Sequence, residues 1–134
     1  ERRVAQAGAS TRALRGPELA ASASTVGAVQ VVAQSFGELG SADDLRGLVT
    51  AVRERLASQA AVIALAAEVG GKPTVIVATT AAARDAGAKA GALVRTASTV
   101  LGGGGGGKDD LAQGGGVDVS AIPAALTAIA DGLR

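Results

Sequence analysis

The chain has 134 residues, of which 48% are hydrophobic and only one, Phe36, is aromatic, and its formal net charge is +1. That composition suits one compact domain with a core of small Ala and Val side chains and little room for a deep ligand cavity. The absence of Cys and His excludes thiolate and imidazole zinc sites, cysteine nucleophiles, disulfides and every triad that needs a His base.

Met is also absent, and the chain opens at Glu1 inside a helix-like stretch, so a piece of a longer protein is expected. No apolar run reaches the roughly 18 residues of a membrane span, and Glu1-Arg2-Arg3 does not lead into a signal-peptide core. A soluble, cytoplasmic protein is the expectation. Charge is unevenly spread. Residues 70–108 carry Lys72, Arg84, Lys89, Arg95 and Lys108 against Asp85 alone, whereas residues 109–134 carry Arg134 against four Asp. The basic block leads into a glycine-rich segment. On charge alone it reads equally well as a solvated helix face.

Residues 1–25 are rich in Ala and Arg and read as the end of a helical linker or dimerisation segment, interrupted at Gly16-Pro17, where Pro loses a backbone bond. A globular unit follows over residues 26–134. Val26 to Ala33 reads as a first strand, with Val26, Val29, Val31 and Val32 β-branched, and Ser35-Phe36-Gly37 as the lead into a turn. Ser41 can cap a helix that runs to about Ala57, with Asp44 completing a capping-box variant. Leu45, Leu48, Val49, Val52 and Leu56 form its apolar stripe, with Arg46, Arg53, Glu54 and Arg55 mostly outside it.

Ala61 to Ala67 and Thr74 to Thr79 are continuous apolar runs separated by Gly70-Gly71-Lys72-Pro73. They read as adjacent strands of a hairpin, buried on both faces. Ala88 to Leu101 reads as a helix whose inward stripe is Ala90, Leu93, Val94, Ala97, Val100 and Leu101. A glycine-rich loop over residues 102–116 comes next, with Leu111 to Gln113 as a short strand between two glycine clusters. Ser120 is placed to cap a last helix with Pro123 in its first turn and Ile122, Leu126, Ile129 and Leu133 as its stripe. The fold class is α/β: a small mixed β-sheet with helices packed on it, preceded by a helical N-terminal segment.

Six consecutive glycines lose roughly 0.5–1 kcal/mol each relative to Ala. The run therefore implies positive φ angles or very close backbone approach, and its N–H groups could line an anion site. Gly102 to Lys108 matches most of a P-loop, but the reading fails. Asp109 stands where a Ser or Thr would hold Mg²⁺, and the loop follows a helix instead of opening one. A dinucleotide GxGxxG is uninformative, since any poly-Gly run contains it. A flexible linker does not explain the charge, large apolar residue and amide set between the glycine clusters.

The stretch from Leu101 through Gly102, Gly103, Gly104, Gly105, Gly106, Gly107, Lys108, Asp109, Asp110, Leu111, Ala112 and Gln113 to Gly114 and Gly115 resembles a known signature. It is the glycine-rich motif near the C-terminus of alanyl-tRNA synthetases, in the type-1 DHH-associated domain family. RecJ-like phosphoesterases share that class but are expected to carry a His after their Gly-Gly pair. The lack of His favours the synthetase branch. The resemblance extends more loosely over Val26 to Arg134 and gives residues 1–25 the place of the preceding helical region.

The resemblance implies a domain that docks on the outer corner, or elbow, of tRNA(Ala) and assists aminoacylation and editing by upstream domains of the same chain. In some members the helical part supports a homodimer. It implies no active site and no cofactor in this stretch; ATP and zinc are expected upstream. The implied RNA-binding residues are Gly102 to Gly107, Lys108, Asp110, Gln113, Gly114 and Gly115. Asp110 and Gln113 either meet riboses and base edges or hold the loop locally; the residues alone leave both open. Without Tyr or Trp, stacking on splayed bases is not expected, which leaves recognition of shape, sugar and phosphate. Many members are expected to have Arg at Gly104, Pro at Asp109 and Met at Leu111. These departures should weaken phosphate contact and flatten the salt dependence.

Two other readings compete. One is an oligomerisation domain that binds little RNA, with its interface on residues 1–25 or an exposed sheet edge. The other is a hydrolase related to the phosphoesterases, for which Asp109, Asp110 and Asp118 make a poor metal cluster.

Overall fold

The computed structural model describes residues 24–26 and 29–132. The expected N-terminal helical segment and its Gly16-Pro17 break fall on residues outside these, as does Leu133. Residues 24 and 25, read from sequence as part of that segment, instead belong to strand β1 (Ser24–Val26). It pairs antiparallel with the start of β2 (Val29–Leu39), Val26 opposite Val29.

The strand does not end at Ala33, and Ser35-Phe36-Gly37, expected to lead into a turn, stays within β2. β2 runs on in parallel register with β3 (Ala61–Val69), and between Ser35 and Glu38 it advances three residues against two on β3. The extra residue is a bulge, and a glycine inside a strand commonly marks one.

Helix α1 (Ala42–Arg55) links these two strands. Ser41 caps it as expected, its hydroxyl accepting from the Asp44 N–H at 3.3 Å. β3 turns into β4 (Lys72–Thr79) through Gly70 and Gly71, with φ of 62° and 82°. Two successive positive φ values are what a tight two-residue hairpin demands.

A one-turn helix, α2 (Ala81–Asp85), follows and has no counterpart in the sequence reading. Helix α3 (Ala90–Leu101) starts two residues later than expected and ends on Gly102 in the left-handed conformation, φ 85°. The segment read as a glycine loop is mostly a hairpin, β5 (Gly105–Gly107) against β6 (Leu111–Gly115).

A short 3-10 turn, Val119–Ala121, precedes α4 (Ile122–Asp131). Ser120 does not cap α4. Asp118 takes that part for the 3-10 turn, accepting from the Ser120 N–H at 3.1 Å and from its hydroxyl. Pro123 sits in the first turn of α4, as expected.

The sheet order is β1-β2-β3-β4-β6-β5. Only β2–β3 is parallel, so the sheet is mixed. Side chains alternate along each strand and feed two cores. Ala61, Ile63, Leu65, Ala67, Ile76 and Ala78 pack under Leu45, Leu48, Val49, Val52 and Leu56 of α1 and its C-terminal turn. Val62, Ala64, Ala66, Val75, Val77 and Ala112 pack under Leu93, Val94, Ala97 and Leu101 of α3 and Ala125 and Ile129 of α4.

Burial of each Val, Leu or Ile contributes roughly 1.5–3 kcal/mol, so both faces of β3 and β4 anchor the fold. α1 rests on β2, β3 and β4, whereas α3 rests on β4, β5 and β6. This offset covers the glycine hairpin on one face and leaves the other beside the flank of α1. No helix among the described residues is long and apolar enough to cross a membrane.

Candidate functional site

The eight glycines from 103 to 107 and 114 to 116 divide according to what a side chain would meet. A Cβ on Gly103 would stand 2.3 Å from the Gly115 carbonyl oxygen, one on Gly105 2.3 Å from Gly114 Cα, and one on Gly107 2.7 Å from Ala112 Cα. On the other strand, Gly114 would meet Ser98 Oγ at 2.1 Å, Gly115 the Pro73 oxygen at 2.5 Å and Gly116 the Leu101 oxygen at 2.2 Å. Gly91 on α3 makes room in the same way for the Gly107 carbonyl, 2.9 Å from its Cβ position.

These glycines let two strands and a helix approach one another more closely than side chains permit. The close backbone approach implied by the sequence is therefore largely made by the protein's own backbone. Gly104 and Gly106 are different: a Cβ on either meets nothing within 4 Å, and neither has positive φ.

Register places Gly106 on the open face, and the Gly115 N–H bond to the Gly104 carbonyl at 3.3 Å carries the same alternation back to Gly104, just before β5. Gly106 is paired with Gln113, and Gln113 with Ile76 of the α1 core. Gly106 and Gln113 therefore look out on the α1 side of the sheet, beyond the strands β2, β3 and β4 on which α1 mainly rests. The border of this bare floor is set by α1. Arg46 donates from Nη2 to the Gln113 amide oxygen, and Arg53 from Nη1 to the Asp110 carbonyl at 3.0 Å.

The turn joining β5 to β6 is fixed through its backbone. The Lys108 N–H donates to the Leu111 carbonyl at 3.1 Å, and the Asp110 carbonyl also accepts from the Thr79 N–H at 3.1 Å. The Asp109 carbonyl accepts from Thr79 Oγ1 at 2.6 Å and from the Ala90 N–H at 2.9 Å. The last of these caps α3, whose preceding residue, Lys89, supplies no side-chain cap. Lys108 and Asp109 are exposed, and Asp110 is half-buried.

The residues singled out in the sequence are thus together in space, but not equivalent. Gly103, Gly105, Gly107, Gly114 and Gly115 build the hairpin, and Gly102 ends α3. Gly104, Gly106, Lys108 and Gln113 reach the open face or its turn. Gln113 is held locally by Arg46, while Asp110 makes its local bonds through its carbonyl. The sequence places Arg46 and Arg53 mostly outside the apolar stripe of α1 but does not reveal their place beside the glycines. The available signal was their seven-residue spacing, which puts both on one flank of α1. Among the described residues no three His, Cys, Asp or Glu side chains are grouped to hold a metal ion. The acidic cluster that a phosphoesterase reading needs is not assembled, and the Asp118 carboxylate is occupied at Ser120.

Comparison with known proteins matches the DHHA1 domain model to residues 28–134. An alanine–tRNA ligase of Clavibacter michiganensis subsp. michiganensis (strain NCPPB 382) is 62% identical over 133 residues, covering 99% of this chain and 15% of the relative. One from Arthrobacter sp. (strain FB24) is 53% identical over 116 residues, covering 87% of this chain and 13% of the relative. The chain therefore spans about a seventh of the length of these curated relatives. The crystal structure of the C-Ala domain from Aquifex aeolicus alanyl-tRNA synthetase superposes with a TM-score of 0.74 at 30% identity, covering 83% of this chain and 96% of that one. Family model, sequence and fold agree with what the glycine segment first suggested: the chain belongs to the DHHA1 domain family and is similar in sequence and fold to the C-terminal domain of alanyl-tRNA synthetases.

Proposed function

We propose that this chain is the C-terminal docking and assembly module of an alanine–tRNA ligase, seated on the elbow of tRNA(Ala) and assisting aminoacylation and editing by upstream domains of the same protein. In this reading ATP and zinc serve those upstream domains, the parent enzyme is cytoplasmic, and a second copy of the chain is a further partner. The observation that carries the reading is Gly106. It is a glycine that neither packing nor φ requires, on a hairpin otherwise tightly built, beside Arg46, Arg53 and the exposed Lys108. A strand residue without a side chain lets a polymer backbone lie close to the peptide. Phe36 packs against the α1 core, so stacking on splayed bases has no aromatic platform there and contact with sugar and phosphate remains.

The test is binding of tRNA(Ala) by Gly106→Val and Lys108→Glu variants of the 134-residue chain at low salt. Both should bind more weakly than the parent while melting no lower than it does, Gly106→Val because it raises the surface and Lys108→Glu because it reverses a charge. Binding by both variants that matches the parent would rule out docking through this face.

A further inference from the structure

We infer that Arg46 and Arg53 contact two phosphates of the docked RNA, so that the flank of α1 forms the charged wall of the surface whose floor is Gly106. This rests on the tRNA-docking reading and adds to it a helix outside the glycine signature. The stripe Arg46, Thr50 and Arg53 falls at i, i+4 and i+7, on the side of α1 that faces β6, and it carries two cations, with Asp43 and Glu54 exposed at the adjoining outer positions. Both arginines are anchored on neutral acceptors, an amide oxygen and a peptide carbonyl. Neither anchoring bond cancels a charge. A guanidinium has five N–H donors, so one can grip the hairpin while others meet an anion.

The anchors also set the geometry. Gln113 and Asp110 stand three residues apart on the hairpin, and the two arginine Cα atoms are about 10.5 Å apart along the helix. The guanidiniums are thus held at separate points along the floor, suited to two phosphates of one strand and not to a single phosphate. The planar fork of Arg recognises phosphate bidentately, which the point charge of Lys108 cannot do. The carboxylates of Asp109 and Asp110 at the turn oppose such contact and fix where the wall ends. A nucleic-acid backbone is the occupant that fits a bare floor beside a cationic edge, since it brings regularly spaced anions and needs no apolar pocket.

The experiment measures tRNA(Ala) affinity of the 134-residue chain between 50 and 200 mM salt for the parent, Arg46→Gln/Arg53→Gln, Arg46→Lys/Arg53→Lys and Gly106→Val, with melting followed in parallel. Losing two phosphate contacts lowers the slope of log affinity against log salt by about 1.4–1.8. Over that fourfold range the parent should lose roughly tenfold more affinity than the double Gln variant, while the double Lys variant keeps the parent's slope. An unchanged slope in the double Gln variant, with binding lost in Gly106→Val, overturns the inference and leaves the docking reading standing. A double Lys variant that behaves like the double Gln variant also overturns it, because the arginines would then act only by bracing the hairpin. If the parent does not bind, or no substitution alters binding, the docking reading itself fails.

Discussion

The hydroxyl of Ser98 on α3 occupies the space that a side chain at Gly114 on β6 would need, 2.1 Å from the Cβ position. Ser98 is fully buried, and its Oγ has no hydrogen-bond partner among the described residues. It fills the gap beneath the glycine hairpin, against Gly105 as well as Gly114. A Gly114→Ala side chain also meets Val94 Cγ1 at 2.8 Å and Gly105 Cα at 3.1 Å, so rotation of the serine alone does not relieve it. Overpacking of this kind costs about 1–3 kcal/mol, more than the ~0.4–1 kcal/mol gained by replacing a glycine. Gly114→Ala should be destabilising by urea unfolding, and less so in a Ser98→Ala background. Ser98→Ala alone should be within about 1 kcal/mol of neutral, because it removes a desolvated hydroxyl without orphaning a partner. Equal costs of Gly114→Ala in both backgrounds would contradict the contact.

The other glycines should rank by what surrounds them. At Gly116 the obstacle is backbone, the Leu101 carbonyl at 2.2 Å and 2.5 Å for its oxygen and carbon. That carbonyl is also held by the Val117 and Asp118 N–H groups. Gly116→Ala should therefore destabilise more than Gly114→Ala. At Gly106 a Cβ meets nothing within 4 Å, and Gly106→Val replaces the most flexible residue by a β-branched one in a strand. It should leave stability unchanged or raise it by about 0.5–1 kcal/mol. A melting temperature for Gly106→Val as low as that of Gly116→Ala would mean that the two faces of the hairpin are wrongly distinguished.

Thr80 gives the clearest stability prediction outside the hairpin. Its hydroxyl accepts from the Ala61 N–H at 2.9 Å and the Ala83 N–H at 3.4 Å, and donates to the Gln59 carbonyl at 2.6 Å. It thus starts α2 and ties the end of β4 to the beginning of β3. Thr80→Val keeps the shape and orphans the buried Ala61 donor, which costs about 1–3 kcal/mol. Loss of the cap costs about 1 kcal/mol more. Thr80→Ser should retain most of the stability. Equal midpoints for the Val and Ser variants in urea would show that the hydroxyl contributes nothing.

Much of this fold is legible in the sequence because local signals coincide with tertiary demands. Ser41 and the stripe from Leu45 to Leu56 define α1 by capping and period, and Gly70-Gly71 between two apolar runs defines the central hairpin. The failures have physical reasons. A bulge lets β2 continue through Gly37, whereas glycine in isolation signals a turn. α2 is a single turn held by Thr80, too short to show a period. Three glycines have no strand propensity of their own; β6 and α3 impose the extended form on β5. Most of all, identical residues cannot reveal parity. Alternation that would separate an inner from an outer face in any ordinary strand is invisible from Gly102 to Gly107. The same blindness hid Arg46 and Arg53, since a helical stripe shows which side is buried but not which strand lies beyond its edge.

Parity makes the last prediction. The family resemblance implies Arg at position 104 in many members, and here a Cβ on Gly104 has nothing within 4 Å and no positive φ to resist it. Gly104→Arg should fold as the parent does. On the open face it adds a cation to the same floor, and one further phosphate contact steepens the salt dependence of tRNA binding by about 0.7–0.9. Affinity at 50 mM salt should rise and then fall faster toward 200 mM. Gly105→Arg, one residue along, is the control: its side chain would point into Gly114 and Ser98 and should unfold the hairpin. If Gly104→Arg binds tRNA(Ala) with the parent's affinity and slope, the open face does not lie against the RNA, however well the hairpin is built.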